Sequence, residues 1–238
     1  MYKNRELIQA FVLCAGKGTR LLPLTTIVPK CLVPVQGNPV LTKILSHLRN
    51  HGITEVICNI GELKEQLENY RYENHLDFVI SHESTPLGTA GGVMKCLDLL
   101  EDDFCIYYGD VISNASIKKL WEFHLQKDAD ISLYVHDSLE PWTGGVVKFD
   151  SDHRVISIQE KPQEALSGTK INSGIMIVQL NSITKMAEYN LFDLASDLLP
   201  AMLKYNYKIF ALPISDNEFV FDMGTHERLE KANEMLNI

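Results

Sequence analysis

The sequence predicts an α/β fold in which a mixed, mainly parallel sheet is flanked by helices. Three observations support this. In the first half, apolar runs alternate with helical patterns, and glycine-rich loops directly follow apolar runs. After Asp130, several runs typical of strands follow one another at short intervals. The 238 residues are enough for one domain with a sizeable core. We therefore expect a single domain over residues 1–238, with a first half of about 1–128 and a smaller lobe of about 129–238.

The first half predicts a βαβαβ unit. Residues 11–13 form a buried strand, and the next helix covers about 38–52, with Asn38 as its N-cap, Pro39 at its first position and Gly52 at its end. The other elements of this half are strands at 55–58, 76–80 and 103–108 and helices at 62–70 and after the glycines at 88–92. Parallel strands require right-handed crossovers, and ligands of such sheets bind beyond the carboxyl ends of the strands.

The second half alternates short strands with turns, which predicts mixed or antiparallel pairing. The predicted strands lie at 131–135, 145–149, 155–158, 171–178 and 208–212. Turn-forming residues separate them, the last such turn before 171–178 being Ser167-Gly168. The predicted helices cover 182–189, 193–203 and 226–236. We expect this lobe to supply the second side of a cleft.

Charge and cysteine content argue against several classes of protein. The formal net charge is −9, the pI is about 5.4 and no basic run occurs, so binding to a nucleic-acid backbone is not expected. The five cysteines are scattered without a CxxC pair, which indicates reduced thiols and a cytoplasmic protein. No signal peptide, membrane-spanning run or membrane partner is predicted. The sequence leaves the oligomeric state open, with a homo-oligomer among the alternatives.

The loop after the first strand concentrates donors for an anion. Gly16 and Gly18 let the backbone approach a ligand closely, and Arg20 supplies a planar fork that matches a phosphate. Lys30 adds a second cation ten residues later. The pattern matches neither a Walker loop nor a dinucleotide fingerprint. From these residues alone, an ordinary surface turn and a polyphosphate site both stay open.

Two later segments leave similar alternatives. Residues 88–92 form either a glycine-rich start of a helix or a backbone platform for a nucleobase. Asp110 ends an apolar run, and it is either a turn cap or a magnesium ligand. Sequence spacing does not by itself bring Asp222 to Asp110. His47 and His51 lie four residues apart on a predicted helix without a third ligand, so a zinc site is not expected.

Motifs spread along the chain resemble one enzyme family. Gly16-Lys17-Gly18-Thr19-Arg20 followed by Pro29-Lys30 resembles the signature of nucleotide-sugar pyrophosphorylases, which join an NTP to a sugar 1-phosphate. Glu160-Lys161-Pro162 resembles the Glu-Lys-Pro motif of that family, and Asp222-Met223-Gly224-Thr225 resembles its Asp-Ile-Gly-Thr segment. The resemblance implies a Rossmann-like nucleotide-diphospho-sugar transferase fold, Mg²⁺ as cofactor, and an NTP and a sugar 1-phosphate as substrates.

The resemblance also assigns roles to residues. It implies catalytic roles for Arg20, Lys30 and Asp110. It implies nucleotide contacts at Leu13, Ala15, Gly16, Gly18, Thr19, Gly88 and Thr89. It implies sugar-phosphate contacts at Gly145, Glu160, Lys161 and Asn172, and a Mg²⁺ ion shared by Asp110 and Asp222. In the implied reaction, the sugar phosphate attacks the α-phosphorus of the NTP and pyrophosphate leaves in line.

Departures from the family pattern limit how finely the substrate is predicted. Cys31 follows the signature lysine where many relatives have proline, and Met223 and His226 replace the usual isoleucine and proline. The glycine-rich segment favours a guanylyltransferase acting on mannose or heptose 1-phosphate, with uridylyl-, thymidylyl- and cytidylyltransferases as alternatives. The absence of a hexapeptide-repeat tail after Thr225 argues against a bifunctional acetyltransferase. A non-catalytic nucleotide-sugar-binding protein and, on Asp128-Ala129-Asp130, a glycosyltransferase are the competing classes.

Overall fold

The computed structural model describes residues 6–163 and 169–235. In these ranges the strands are β1 Gln9–Leu13, β2 Pro34–Val35, β3 Asn38–Pro39, β4 Glu55–Ile60, β5 Val79–His82, β6 Asp103–Tyr108, β7 Val111–Ser113, β8 Ile131–Ser138, β9 Gly145–Phe149, β10 Val155–Glu160, β11 Thr169–Gln179, β12 Ile209–Pro213 and β13 Val220–Asp222. The α-helices are α1 Val40–Asn50, α2 Lys64–Glu73, α3 Gly88–Met94, α4 Ile117–Lys127, α5 Leu180–Thr184, α6 Leu199–Lys204 and α7 His226–Met235. None of the described helices is long and apolar enough to cross a membrane.

Nine of the described strands form one mixed sheet. Its order is β10-β9-β11-β6-β1-β4-β5, and β8 and β12 branch from it because β8 pairs with β11 and β12 pairs with β8. β1 runs parallel to β4 and β6, and β4 runs parallel to β5. β11 is antiparallel to β6, β8 and β9, whereas β12 is parallel to β8. The prediction of a mixed sheet flanked by helices is confirmed, and its continuous parallel part lies in the first half.

Each face of the sheet carries its own apolar core. Val12 belongs to a buried cluster with Leu48 of α1 and Leu120 of α4, whereas its neighbour Phe11 belongs to a cluster with Val93 of α3. Because successive side chains of a strand point to opposite faces, β1 is covered on both sides. This burial fixes the carboxyl end of β1, where the glycine-rich loop begins.

The predicted start of the helix at 38–52 is wrong. Asn38–Pro39 is strand β3, which pairs with β2, and α1 begins at Val40 without a side-chain cap. Gln36 and Gly37 have φ angles of 53° and 74°, so they close a two-residue hairpin that draws residues 38 and 39 into pairing. The hairpin turn outweighs the local preference of Asn and Pro for a helix start.

Other predicted boundaries shift without changing the order of the elements. Leu63 has a φ of 61°, which delays the start of α2 to Lys64. The helix predicted at 193–203 consists of a π-helical turn, Leu194–Leu198, followed by α6, and the helix predicted at 182–189 consists of α5 and a 3-10 turn, Ala187–Tyr189. The predicted turn at Ser167-Gly168 and the last predicted helical residue, 236, lie outside the described residues.

Two features of this fold gather distant segments at one edge of the sheet. The parallel strands β1, β4, β5 and β6 place the loops that follow them at the same edge. The small antiparallel pair of β7 and β13 then brings the end of the chain back beside residue 110. The predicted site residues that follow these strands therefore have a common location.

Candidate active site

Buried polar residues fix the loop after β1. The Oδ1 atom of Asn59, on β4, accepts hydrogen bonds from the backbone N–H groups of Cys14 (2.7 Å) and Ala15 (3.3 Å). The Nδ2 atom of Asn59 donates to Glu83 Oε1 (2.7 Å), and Glu83 Oε2 accepts from the backbone N–H of Leu87 (3.2 Å). This chain of hydrogen bonds holds the loops after β1 and β5 in fixed relative positions.

The same loop then turns so that Lys30 meets Asp110. Gly18 has a φ of +61°, and a Cβ atom there would lie 2.8 Å from Thr25 Cγ2 and 3.3 Å from Lys30 Cβ. Thr25 Oγ1 donates to the Gly18 carbonyl (2.9 Å), which secures the turn. Lys30 Nζ forms an ion pair with Asp110 Oδ2, and both side chains are partly buried. Position 18 requires glycine, because a side chain would clash with Thr25 and because the backbone there has a positive φ. The turn that glycine allows helps to place Lys30 beside Asp110.

A second acid reaches this location from the far end of the chain. β13 pairs with β7, and the backbone N–H of Met223 donates to the Asp110 carbonyl (2.9 Å). Arg228 Nη1 donates to Asp222 Oδ2 (2.6 Å), and the backbone N–H of Gly224 donates to Asp222 Oδ1 (2.6 Å). Burial, and next the Asp110 carboxylate, raise the pKa of Asp222. Two acids thus lie close together, and each is paired with a cation.

The two acids suit a divalent cation shared with substrate phosphates. Magnesium takes hard oxygen ligands and is commonly held by one or two carboxylates plus phosphate oxygens. Across residues 6–163 and 169–235, no group of three or more His, Cys, Asp or Glu side chains could hold a metal by itself. Asp110 and Asp222 supply two carboxylates, and burial, followed by the charge of Asp110, raises the pKa of Asp222. The expected Mg²⁺ therefore fits the residues present.

Asp110 lies where two cavities meet. The first cavity, of about 350 Å³, lies against the loops after β1 and β5 and the start of α3. The second cavity, of about 560 Å³, lies among residues of β8 to β11, β13 and α7. Asp110 and Tyr108 line both cavities. Burial, followed by the nearby carboxylates of Asp193, Glu160 and Asp110, raises the pKa of Tyr108.

A family model described as Nucleotidyl transferase matches residues 9–237. The chain belongs to this family. The UTP--glucose-1-phosphate uridylyltransferase of Synechocystis sp. is 30% identical over 236 residues, which cover 91% of this chain and 60% of the relative. The mannose-1-phosphate guanylyltransferase of Mycobacterium tuberculosis is 32% identical over 225 residues, covering 92% of this chain and 62% of the relative. The chain thus spans about 60% of the length of these two relatives, and the prediction of a nucleotidyltransferase family, a family of enzymes, is confirmed.

Solved structures agree with this family. The crystal structure of HddC from Yersinia pseudotuberculosis has a TM-score of 0.83 and 25% identity, covering 97% of this chain and 100% of HddC. The structure of HddC complexed with GMP-PN has a TM-score of 0.82 at the same identity and coverage. The predicted fold class is confirmed by these neighbours together with the observed sheet.

The residues predicted from the nucleotidyltransferase resemblance divide between the two cavities. The first cavity is lined by Leu13, Ala15, Gly16, Lys30, Gly88, Thr89 and Asp110. The second cavity is lined by Arg20, Asp110, Gly145, Glu160, Lys161, Asn172 and Asp222. Of the predicted nucleotide contacts, which all belong to the described part of the chain, Gly18 and Thr19 line neither of these cavities. Gly18 acts through the loop that carries Lys30.

Arg20 and Lys161, two of the predicted cationic residues, both line the second cavity but have different neighbours. A Cβ atom on Gly224 would lie 2.9 Å from Arg20 Nη2 and 2.8 Å from Asp222 Oδ1, so the Arg20 guanidinium is close to the acid pair. Lys161 has a φ of 43°, and its Nζ lies 3.1 Å from Glu160 Oε1. The Lys161 side chain is 58% exposed, so it borders the cavity and also meets solvent.

Several residues of the site escaped the sequence prediction. They are Asn59, Glu83, Phe192, Asp193 and Arg228. Glu83 directly follows β5, so the preference of ligands for carboxyl ends of parallel strands could have indicated it. Arg228 carries no motif, and only the pairing of β13 with β7 shows where it lies.

Proposed function

We propose that this protein is a sugar-1-phosphate nucleotidyltransferase that converts an NTP and a sugar 1-phosphate to an NDP-sugar and pyrophosphate. The observation that carries the proposal is the position of Asp110, which lines both cavities and is paired with Lys30. A nucleotide in the first cavity and a sugar phosphate in the second would bring their phosphates together at this junction. The relatives named above are supporting findings for this reaction class.

The reaction needs charge neutralisation more than a covalent nucleophile. A phosphate oxygen of the sugar 1-phosphate forms a bond to the α-phosphorus, and the bond from that phosphorus to the bridging oxygen breaks. Pyrophosphate leaves with the electron pair of that bond. Both reactants are anions, so aimed cations lower the barrier by stabilising the transition state. We assign Lys30 to the α-phosphate, Arg20 to the triphosphate and Lys161 to the incoming phosphate.

Asp110 and Asp222 would hold the magnesium ion. When bound, the ion supplies Lewis-acid stabilisation of phosphate oxygens. Arg228 orients Asp222 through a 2.6 Å hydrogen bond, and the β7–β13 pairing keeps the two acids beside each other. Two carboxylates held close in this way repel each other, which favours a divalent ion over solvent between them.

Glu83 supports guanine as the preferred base. Glu83 is 5% exposed and lines the first cavity, and its oxygens are already oriented by Asn59 and the backbone of Leu87. Guanine presents two adjacent donors, N1–H and the N2 amino group, whereas adenine and cytosine present a donor beside an acceptor. Carboxylate oxygens accept more than one hydrogen bond each. The HddC complex with GMP-PN and the mycobacterial guanylyltransferase support the same choice, and the Synechocystis relative makes UTP the second candidate.

Polar groups of the second cavity suit sugar hydroxyls. Glu160 and Asn172 offer oxygen and amide groups, and Gly145 leaves space beside Glu160 Oε2. The name of the mycobacterial relative makes mannose 1-phosphate the first substrate to test, and the family resemblance adds heptose 1-phosphate. The five cysteines of the chain are free and buried, which supports our proposal of a cytoplasmic enzyme of nucleotide-sugar biosynthesis.

A substrate matrix tests the proposal. Purified protein with Mg²⁺ is mixed with each of GTP, UTP, dTTP and CTP and with the 1-phosphates of mannose, glucose and a heptose, and pyrophosphate release is measured after coupling to pyrophosphatase. We expect the fastest release with GTP and mannose or heptose 1-phosphate. Release that is fastest with UTP or dTTP would replace the guanine assignment and leave the reaction class intact. Binding of nucleotide without pyrophosphate release from any pair would favour the non-catalytic alternative.

A further inference from the structure

A segment from the second half of the chain completes the wall of the first cavity. Residues 191–194 lie against the start of α3, where the Phe192 carbonyl accepts a hydrogen bond from the backbone N–H of Ala90 (3.0 Å). The backbone N–H of Leu194 donates to Thr89 Oγ1 (2.7 Å), and Thr89 Oγ1 donates to Asp193 Oδ2 (2.8 Å). The glycine-rich platform at residues 88–92 is therefore joined to a segment that is remote in sequence.

The Phe192 ring is exposed although its backbone is held on both sides. Its N–H donates to Asp197 Oδ2 (3.1 Å), and its carbonyl is bound by α3. A Cβ atom on Gly88 would lie 2.1 Å from the Phe192 carbonyl oxygen and 2.7 Å from ring atom Cδ1, so the ring packs directly on glycine. Phe192 is nevertheless 56% exposed and lines the first cavity. An aromatic side chain on a fixed backbone thus borders the cavity.

A single exposed aromatic residue is ordinary on a protein surface. Tyr72 on α2 is 81% exposed, lines neither of the two cavities described above and illustrates that ordinary case. Phe192 differs because it borders a cavity, its backbone is fixed by two hydrogen bonds, and its neighbour Gly88 has no side chain to cover the ring. Pro86 and Gly88 line the same cavity.

We propose that Phe192 is a nucleobase-binding residue whose ring stacks on the base of the bound nucleotide. The inference deepens the proposed function and depends on it for the identity of the ligand. Every base has a flat face, so stacking on an aromatic ring strengthens binding with little selection between bases. Discrimination between bases would then come from polar groups such as Glu83. The adjacent Asp193 lines the second cavity, so one short segment borders both cavities.

The test measures nucleotide binding without turnover. Calorimetric titration of GTP and of UTP with Mg²⁺, in the absence of any sugar phosphate, gives Kd for the wild type and for Phe192→Ala, Phe192→Leu and Phe192→Tyr. Leucine keeps an apolar cover over Gly88 but removes the flat ring, and tyrosine keeps the ring. Tyr72→Ala is the control, since it removes another exposed aromatic ring, one that lines neither of the two cavities.

We expect Phe192→Ala and Phe192→Leu to weaken nucleotide binding by about 5- to 100-fold, as the loss of one base–aromatic stack does. Phe192→Tyr should stay within about threefold of the wild type, and Tyr72→Ala should match it. With Phe192→Trp, added GTP should change the indole fluorescence beyond the change seen in the wild type.

Three results would overturn the inference: a Kd for Phe192→Leu equal to the wild-type value, a Phe192→Ala loss below twofold, or a wild type that binds neither nucleotide. The reaction is judged separately by pyrophosphate release. A wild type that binds GTP with the expected Phe192 dependence but releases no pyrophosphate from any substrate pair would refute the proposed reaction and keep the stacking role.

Discussion

The two cavities are built by different means. The first lies at the carboxyl ends of parallel strands, and backbone hydrogen bonds and the Asn59–Glu83 pair fix its loops. The second joins segments from β8 to α7, and ion pairs connect several of them, including Arg228 with Asp222 and with Glu140 (3.1 Å). Backbone hydrogen bonds thus fix the loops of the first cavity, which also holds the Lys30–Asp110 ion pair, whereas ion pairs link the segments of the second cavity. Steric substitutions should damage the first, and neutralising substitutions should damage the second.

Removing the acid shared by both cavities should have the largest effect. Asp110→Asn keeps the size of the side chain but removes the charge that faces Lys30 and Asp222. Loss of one aimed charge in an active site commonly costs at least about 100-fold, and we expect a drop of at least this size in kcat/KM for both substrates. Asp98→Asn, at an exposed position that lines neither cavity, is the control. Near-normal pyrophosphate release by Asp110→Asn would remove Asp110 from the mechanism.

Arg228→Gln should affect the second cavity selectively. The Arg228 guanidinium contacts Asp222, Glu140 Oε2 and Thr143 Oγ1, at 2.6, 3.1 and 2.6 Å, so it fixes an acid and a turn at once. Losing a group that orients a metal ligand typically costs about 10- to 100-fold, and we expect that loss in kcat/KM for the sugar phosphate. The Kd of GTP in calorimetry should change less than threefold.

Two further variants sharpen this prediction. Arg228→Lys should rescue little, because an ammonium group lacks the planar fork that reaches three acceptors. Arg49→Gln removes an exposed arginine of α1 that lines neither of the two described cavities, and it should behave as the wild type. An equal loss of GTP binding and sugar-phosphate turnover in Arg228→Gln would contradict the division between the cavities.

The contrast between the two cavities also explains which features of the fold and the site could be predicted from the sequence. The loop at 15–30 and the parallel pairing of strands in the first half follow from local patterns, because a parallel unit places successive loops at one edge. Asp222 and Lys161 entered through a family resemblance, since no spacing rule links them to Asp110. Arg228 was missed because its role depends on β13 pairing with β7 across more than one hundred residues. The helix start at Asn38 was wrong because the hairpin turn at residues 36–37 takes precedence over the local cap signal.

Gly88→Ala tests how far the first cavity depends on backbone shape. Gly88 has a φ of 75°, and an added Cβ atom would lie 2.1 Å from the Phe192 carbonyl oxygen, so the two segments must separate. Overpacking of this kind costs about 1–3 kcal/mol of unfolding free energy, and we expect a Tm several degrees lower. Gly16→Ala is the steric control for Tm, because no neighbouring atom lies within 4 Å of its added Cβ. An unchanged Tm in Gly88→Ala would show that segment 191–194 is not held tightly against α3.

The smallest effect concerns pH, and it compares His47, which lines neither of the two cavities, with His136 of the second cavity. Burial lowers the pKa of His47, beside Tyr107, and of His136, in the second cavity, from 6.5 to about 4 each. Such a histidine takes up a proton on unfolding, so its contribution to stability is complete above pH 6.5 and is lost as pH falls toward 4.

Urea unfolding at pH 7.5, 6.0 and 5.0 should therefore show a decreasing free energy of unfolding on acidification. The slope of the free energy of unfolding against pH is proportional to the number of protons taken up on unfolding. His47→Gln or His136→Gln should therefore each lower this uptake by up to about one proton between pH 6.5 and 4. Lys170 and Arg228 add to the effect of burial on the pKa of His136, whereas Asp137 opposes it. Arg228→Gln should therefore raise the pKa of His136 and make the stability that this histidine loses on acidification smaller. A slope that His136→Gln leaves unchanged, while His47→Gln reduces it, would mean that the second cavity admits enough water to solvate a charged imidazole.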